Sequence, residues 1–319
     1  MEFNPPADAT HCGESPPNGW LEWYEKNGAL HGPRTQWFSP DGPRKMTVTY
    51  VQGQRHGLCA AWHDNGQLRT CGTFENDQPH GAWKSYYPGG ALLQEWSYEH
   101  GKVHGSMRSF YENGQMARKS TWEHGYETGE VSVYTDDGSL STQYTCLESK
   151  PHGRMRHWLP DGQICKELHY EQGIAHGKYT IWYQNDQICA QGQYNHGETT
   201  GVWSFYMVHG VPEAIGTLEK GLRQGHWEFW WQTGKPLRAG EYSDGEPVGD
   251  HEMWDFFEVY TVETDADRKA EKRQKAHPHL RLFKGPSVLQ DLGVSTAVAP
   301  HVHADPHVLV CDHKPEEFR

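Results

Sequence analysis

A chain of 319 residues with a formal net charge of −13 lacks the excess of Lys and Arg that nucleic acid and anionic membrane surfaces select, so neither is expected as a partner. Only 35% of its residues are hydrophobic and the mean hydropathy is −0.88, low for a thick core, yet 13% are aromatic, too many for a disordered chain. Burial must come largely from Trp, Tyr and Phe, which suits a thin sheet, and no apolar run of about 18 residues predicts a transmembrane helix.

Residues 1–17, MEFNPPADATHCGESPP, carry neither a basic start nor an apolar stretch, so they do not read as a secretory signal. Their prolines predict irregular chain. The seven cysteines include no Cys-x-x-Cys, which points to free thiols in a reducing compartment and to a cytoplasmic protein. Residues 20–31, WLEWYEKNGALH, echo EWSYEHGKVH at 95–104. They predict an edge strand, so residues 1–30 form an N-terminal extension with a capping strand.

From residue 31 to 254 the chain repeats. The glycines of successive His-Gly-like pairs stand at 32, 57, 81, 105, 129, 153, 177, 201, 225 and 249, a step of 25 and then steps of 24. Five residues after each comes an aromatic: Trp37, Trp62, Tyr86, Phe110, Tyr134, Trp158, Trp182, Tyr206, Trp230 and Trp254. A second fixed point is a turn pair such as Asn65-Gly66, Asn113-Gly114 or Asp161-Gly162. Such pairs tolerate positive φ, which predicts type I′ hairpin turns there. A third is an aromatic three residues before another turn, as Phe74, Tyr98 and Tyr194 are. One unit is therefore strand, turn, strand, turn. A lone hairpin is marginal in water, so the units must stack edge to edge. The fold class expected is all-β: an elongated single-sheet array of about nine 24-residue β-hairpin repeats. The apolar position two residues after each glycine (Trp83, Trp203, Trp227) is an odd number from the aromatic at five. Either both faces carry apolar residues or a bulge intervenes.

The pattern HG-x-W-x-x-YY-x-NG-x-L…Y-x-x-G resembles MORN repeats, over about residues 31–254. It is most similar to the bacterial variant carried by antitoxins of a toxin–antitoxin family. That resemblance implies a non-catalytic hairpin array used as a protein–protein interaction scaffold, with a toxin as one form of partner. It carries over no catalytic residue.

Past Trp254 the period stops. Thr264-x-x-Asp267 opens DADRKAEKRQKA, a cap-like start that predicts a short connector helix, and Pro278 ends it. Residues 255–319 are expected to be that helix and a small C-terminal tail.

Three site readings follow. Adjacent aromatic pairs send one ring to each face, which nominates Tyr87, Tyr111, Tyr183 and Trp231 as partner-binding residues. Exposed rings also fit an alternative, glycan or cell-wall binding, which requires export. In the tail, His301, His303 and His307 place two imidazoles on one strand face, geometry that suits zinc. The row His31, His56, His80, His104, His152 and His176 reads instead as a structural turn residue. Its members lie about 10 Å apart by strand spacing, too far to share a metal. No G-x-S-x-G, P-loop or G-x-G-x-x-G occurs, so no enzyme and no organic cofactor are expected.

Overall fold

The computed structural model describes residues 2–14 and 20–254. Among them every regular element is a strand, 23 in all, from Thr10–Glu14 to Glu246–Met253. The all-β hairpin array read from the period is present. The connector helix expected near Thr264 and the histidines of the tail lie outside the described residues. Contacts divide the chain into a unit that ends at Lys150 and one that starts at Pro151. Within each, successive strands form antiparallel hairpins in an open sheet.

The two turns of each repeat exchange the roles assigned from sequence. Strands Leu68–Glu75 and Gln78–Tyr86 pair from Glu75 and Gln78 onward, so the loop is only Asn76-Asp77. Both take positive φ, 49° and 65°, which is the type I′ geometry. Gln172-Gly173 repeats it in the second unit, at 52° and 84°. The Asn-Gly turns are a different structure. The His63 N–H donates to the Gln67 carbonyl at 2.8 Å, and the Gly66 N–H to the His63 carbonyl at 3.0 Å. Of that pair only Gly66 has positive φ, 84°. This is a type I turn closed by a left-handed glycine. The asparagine serves through its side chain: Asn65 Oδ1 accepts the Gln67 N–H at 3.0 Å.

A second correction falls at the N-terminus. Residues 1–17 do not run as irregular chain throughout, because Thr10–Glu14 pairs antiparallel with Leu21–Lys26. The prolines flank this strand at Pro5, Pro6, Pro16 and Pro17, so every ladder position keeps its N–H.

The odd spacing resolves in favour of two apolar-bearing faces. Strand Leu222–Trp230 runs in regular register through Phe229. Its pleat puts Trp227 and Phe229 on one face, rings stacked at 6.0 Å, and Glu228 and Trp230 on the other. In the second unit the first face is a continuous aromatic core. Tyr179, Trp203 and Trp227 are 0%, 0% and 1% exposed. Trp203 meets Tyr179 at 5.6 Å and Phe205 at 6.1 Å, and Phe205 meets Trp227 at 6.3 Å. Each such ring pair adds about 0.5–1.5 kcal/mol beyond its buried area.

The rings fit because their floor is glycine. A Cβ on Gly72, Gly192 or Gly216 would overlap the indole of Trp83, Trp203 or Trp227 respectively. Each indole is eleven residues beyond its glycine. Where the floor residue is larger, the residue eleven on is smaller or flexible: Ser120 with Val131, Trp96 with Met107.

In the first unit Trp83 and Trp96 continue the aromatic layer at 6.3 Å, but the stretch from Met116 to Leu147 fills the same face differently. Arg118 contacts both Glu127 carboxylate oxygens, at 2.7 and 2.8 Å, and its guanidinium donates to Tyr144 Oη at 3.2 Å. Glu127 is buried, and so is Ser120, whose hydroxyl accepts the Trp122 indole N–H at 3.0 Å. Burial pulls the Arg118 guanidinium down, but Glu127 and Tyr144 outweigh it and hold its pKa above the usual arginine value.

Candidate interaction surface

The second face carries charge and half-buried rings. The residue three after each repeat glycine is Lys84, Arg108 or Arg156 in three repeats. These cations meet carboxylates on the neighbouring strand. Glu95 lies 4.0 Å from Lys84 and 2.8 Å from Arg108, and Glu167 lies 2.7 Å from Arg156. Such part-exposed pairs contribute about 0–1 kcal/mol each, so their value is in charge pattern more than stability. Two residues on, the period's invariant aromatic stands on the same face. In the first unit Trp37, Trp62, Tyr86, Phe110 and Tyr134 are each half-buried. In the second Trp158, Trp182, Tyr206 and Trp230 are half-buried and Trp254 is 42% exposed. These rings are not sealed, whereas Tyr179, Trp203 and Trp227 opposite them are.

Tyr87, Tyr111, Tyr183 and Trp231 follow that row at the strand ends, and all four are half-buried. Three have a structural task that sequence reasoning missed. The hydroxyls of Tyr87, Tyr111 and Tyr183 donate to the carbonyls of Phe110, Tyr134 and Tyr206, at 3.0, 2.7 and 2.9 Å. Each ties one hairpin to the next, and burial raises each phenol's pKa. The asparagine of the adjacent turn makes a parallel tie, Asn65 to the Pro88 carbonyl at 2.8 Å and Asn185 to that of Val208 at 2.6 Å. The constant offset of 23 residues between donor and acceptor is the signal that could have revealed these ties. The three hydroxyls are therefore engaged within the sheet itself.

The histidine row is a turn device, as its spacing suggests. The Gln52 and Gln172 N–H groups donate to Nδ1 of His31 and His152, at 3.4 and 3.5 Å. His104 and His176 instead meet the rings of His124 and His196, at 5.5 and 5.3 Å. Among the described residues no group of His, Cys, Asp or Glu is arranged to hold a metal ion. His301, His303 and His307 lie outside them. The Cys146 and Cys59 thiols are poor nucleophiles: burial, then Glu127, pushes Cys146 up to about 12, and burial pushes Cys59 up to about 11.

Five segments of the chain, residues 55–76, 79–100, 103–124, 151–172 and 175–196, match the family described as MORN repeat variant. No curated protein matches the chain. Among solved structures, the crystal structure of TcdB2-TccC3 aligns at 8% identity over 74% of this chain and 15% of that one, with a TM-score of 0.18. The crystal structure of TcdB2-TccC3-TEV aligns at 11% identity over 78% and 18%, with a TM-score of 0.16. The chain thus spans less than a fifth of the length of either.

Proposed function

We propose that this chain is a non-catalytic scaffold that binds a protein partner along the face bearing the charged rows and the half-buried aromatics. The observation that carries the reading is the contrast between faces. Trp203 and Trp227 are sealed within the sheet's own packing, while Trp182, Tyr206 and Trp230 remain accessible. Part-exposed aromatic rings with arginines among them are the residues enriched at protein interfaces. The Tyr87, Tyr111, Tyr183 and Trp231 rings stand beside that row at the strand ends and are half-buried. An antitoxin-like role, masking a toxin, is the concrete form of this proposal, and it draws on the MORN-variant resemblance.

The test uses the full chain, cross-linked in extract of its native cell and recovered with what it holds. A partner in near-equimolar yield is expected, with loss of about tenfold or more when Trp182 and Tyr206 are both changed to Ala, since central aromatics dominate interface energy. Circular dichroism of the variant must match the parent. Equal recovery by parent and variant, or no protein in stoichiometric yield, overturns the proposal. Retention on polysaccharide that is lost in Tyr87→Ala and Tyr111→Ala would move the assignment to glycan.

A further inference from the structure

At the C-terminal end of the second unit the charge pattern of the outer face breaks. The position held by Lys84, Arg108 and Arg156 in earlier repeats is Glu228 and then Glu252. Both pair across to Ala239, a small residue that leaves space between them. A cleft of about 330 Å³ opens there. Trp230, Trp254 and Pro236 supply an apolar wall, and Glu241 and Asp250 add two further carboxylates. Arg238 also lines the cleft, but its guanidinium lies over the Phe229 ring at 4.3 Å, and among the described residues the acidic group's one ion-pair partner is His226, 3.3 Å from Glu241 and 3.6 Å from Glu228. Asp250 and Glu252 have none.

The missing cations are in the chain itself. Residues 268–284 hold seven Lys and Arg against one carboxylate, Glu271, in a protein whose net charge is −13. They begin 14 residues beyond Trp254. Residues 255–267 can span up to about 45 Å when extended, ample to return to a cleft whose wall includes Trp254. A tethered segment of that kind is held at an effective concentration of about millimolar. Lys and Arg can meet the carboxylates and lie over the Trp230 and Trp254 rings at once.

We propose that the basic segment 268–284 of this chain seats in the acidic cleft formed by Glu228, Glu241, Asp250 and Glu252, covering the last repeat's share of the outer face. The segment and an external basic ligand would then compete for one surface. The seating itself does not depend on the scaffold reading. Only its consequence, that a partner must displace the segment to use the last repeat, rests on that reading.

Zero-length carbodiimide coupling of the dilute full chain, mapped by mass spectrometry, tests it. Lys269, Lys272 or Lys275 should couple to Glu228, Glu241, Asp250 or Glu252. Mixing isotopically labelled and unlabelled chains should show the links to be within one chain. Yield should fall about tenfold in Glu228→Gln/Glu252→Gln, and likewise in 1 M salt, where the Debye length is about 3 Å. Coupling confined to the near neighbours Glu263, Asp265, Asp267 and Glu271, or found only between chains, overturns the proposal. So does a cleft that captures added basic peptide but yields no intrachain link. No partner is needed for the measurement, so its failure leaves the scaffold proposal intact, and failure to recover a partner leaves these links standing.

Discussion

Strands Met116–Glu123 to Leu140–Leu147 and strands Ile188–Asn195 to Pro236–Ser243 share a period, both turn types and the same bulges, yet fill one face with opposite chemistry. The first stretch buries Ser120 and the Arg118–Glu127 pair with Tyr144 beside it. The second buries Trp203, Leu218, Trp227, Phe229 and Tyr242 in one cluster. The backbone ladder satisfies its own hydrogen bonds in both. The face above it can therefore be an aromatic layer or a polar network, and the aromatic layer even buries the Trp203 indole N–H without a partner among the described residues while that of Trp227 donates to the Thr217 carbonyl at 3.0 Å. The sheet is set by turns and bulges, and its core chemistry is a separate choice.

The polar stretch is most vulnerable at Glu127. In Glu127→Ala the Arg118 guanidinium keeps its charge and loses its partner, and stability should fall by about 3 kcal/mol or more. Replacing the pair by apolar side chains in Arg118→Met/Glu127→Leu should recover most of the loss, because well-packed apolar replacements of buried ion pairs are near neutral or stabilising. Urea unfolding of parent, single and double variants reads this directly. A double variant as unstable as the single would mean that the polar network is required for the fold.

In the aromatic stretch the corresponding weak point is the floor. Gly216→Ala forces a methyl group into the Trp227 indole and should cost about 2 kcal/mol, as overpacking does. In a Trp227→Val background, which imitates Val131 over Ser120, the same Gly216→Ala should cost almost nothing. That coupling, read from a double-mutant cycle, would establish that floor and ring are chosen together. Additive costs would refute it.

The two regions also handle a buried titratable base differently. The first unit neutralises its buried cation with Glu127. At the start of the second, burial, then the nearby Lys166, lowers His157 to about 4. Its folded value thus lies below its unfolded value of about 6.5, and as pH falls the unfolded chain takes up the proton first. Stability present above about pH 6.5 is lost progressively towards pH 4, with a loss of about 2 kcal/mol near pH 5. His157→Gln should flatten that part of the profile, measured as the difference between variant and parent in urea unfolding at pH 7 and pH 5. An unchanged slope would show that His157 titrates normally.

The legible part of this molecule is what recurs. The 24-residue step, the aromatic at five and the existence of two turns per unit all follow from spacing, because a strand's reach and a turn's backbone demand are local. The type of each turn was not legible from residue preference. Asn65-Gly66 suits type I′ by composition, but Asn65 is needed to accept the Gln67 N–H. Meanwhile Asn76-Asp77, lacking glycine, makes the tighter loop. The floor glycines were legible in principle, since Gly192, Gly216 and Gly240 stand 24 apart, but their meaning needs the bulge that carries an indole across. The Arg118–Glu127 pair breaks the period, so no repeat arithmetic could place it. The candidate surface was half legible. Spacing nominated the rings at Tyr87 and Tyr111, but not that their hydroxyls are already engaged.

Those hydroxyls give the smallest effect and a property common to both regions. Tyr111→Phe removes the 2.7 Å bond to the Tyr134 carbonyl, and Tyr183→Phe the 2.9 Å bond to that of Tyr206. Each should cost about 1 kcal/mol, the net worth of an ordinary hydrogen bond. The two losses should agree within about 0.5 kcal/mol although one tyrosine sits beside the polar network and the other beside the aromatic cluster, because the tie runs along the turn side and touches neither. Both phenylalanines keep the ring face, so partner recovery should survive these changes while Tyr111→Ala and Tyr183→Ala reduce it. Loss of binding in the phenylalanine variants would place recognition at the hydroxyl or in hairpin alignment, and the ring face would no longer be what the partner reads.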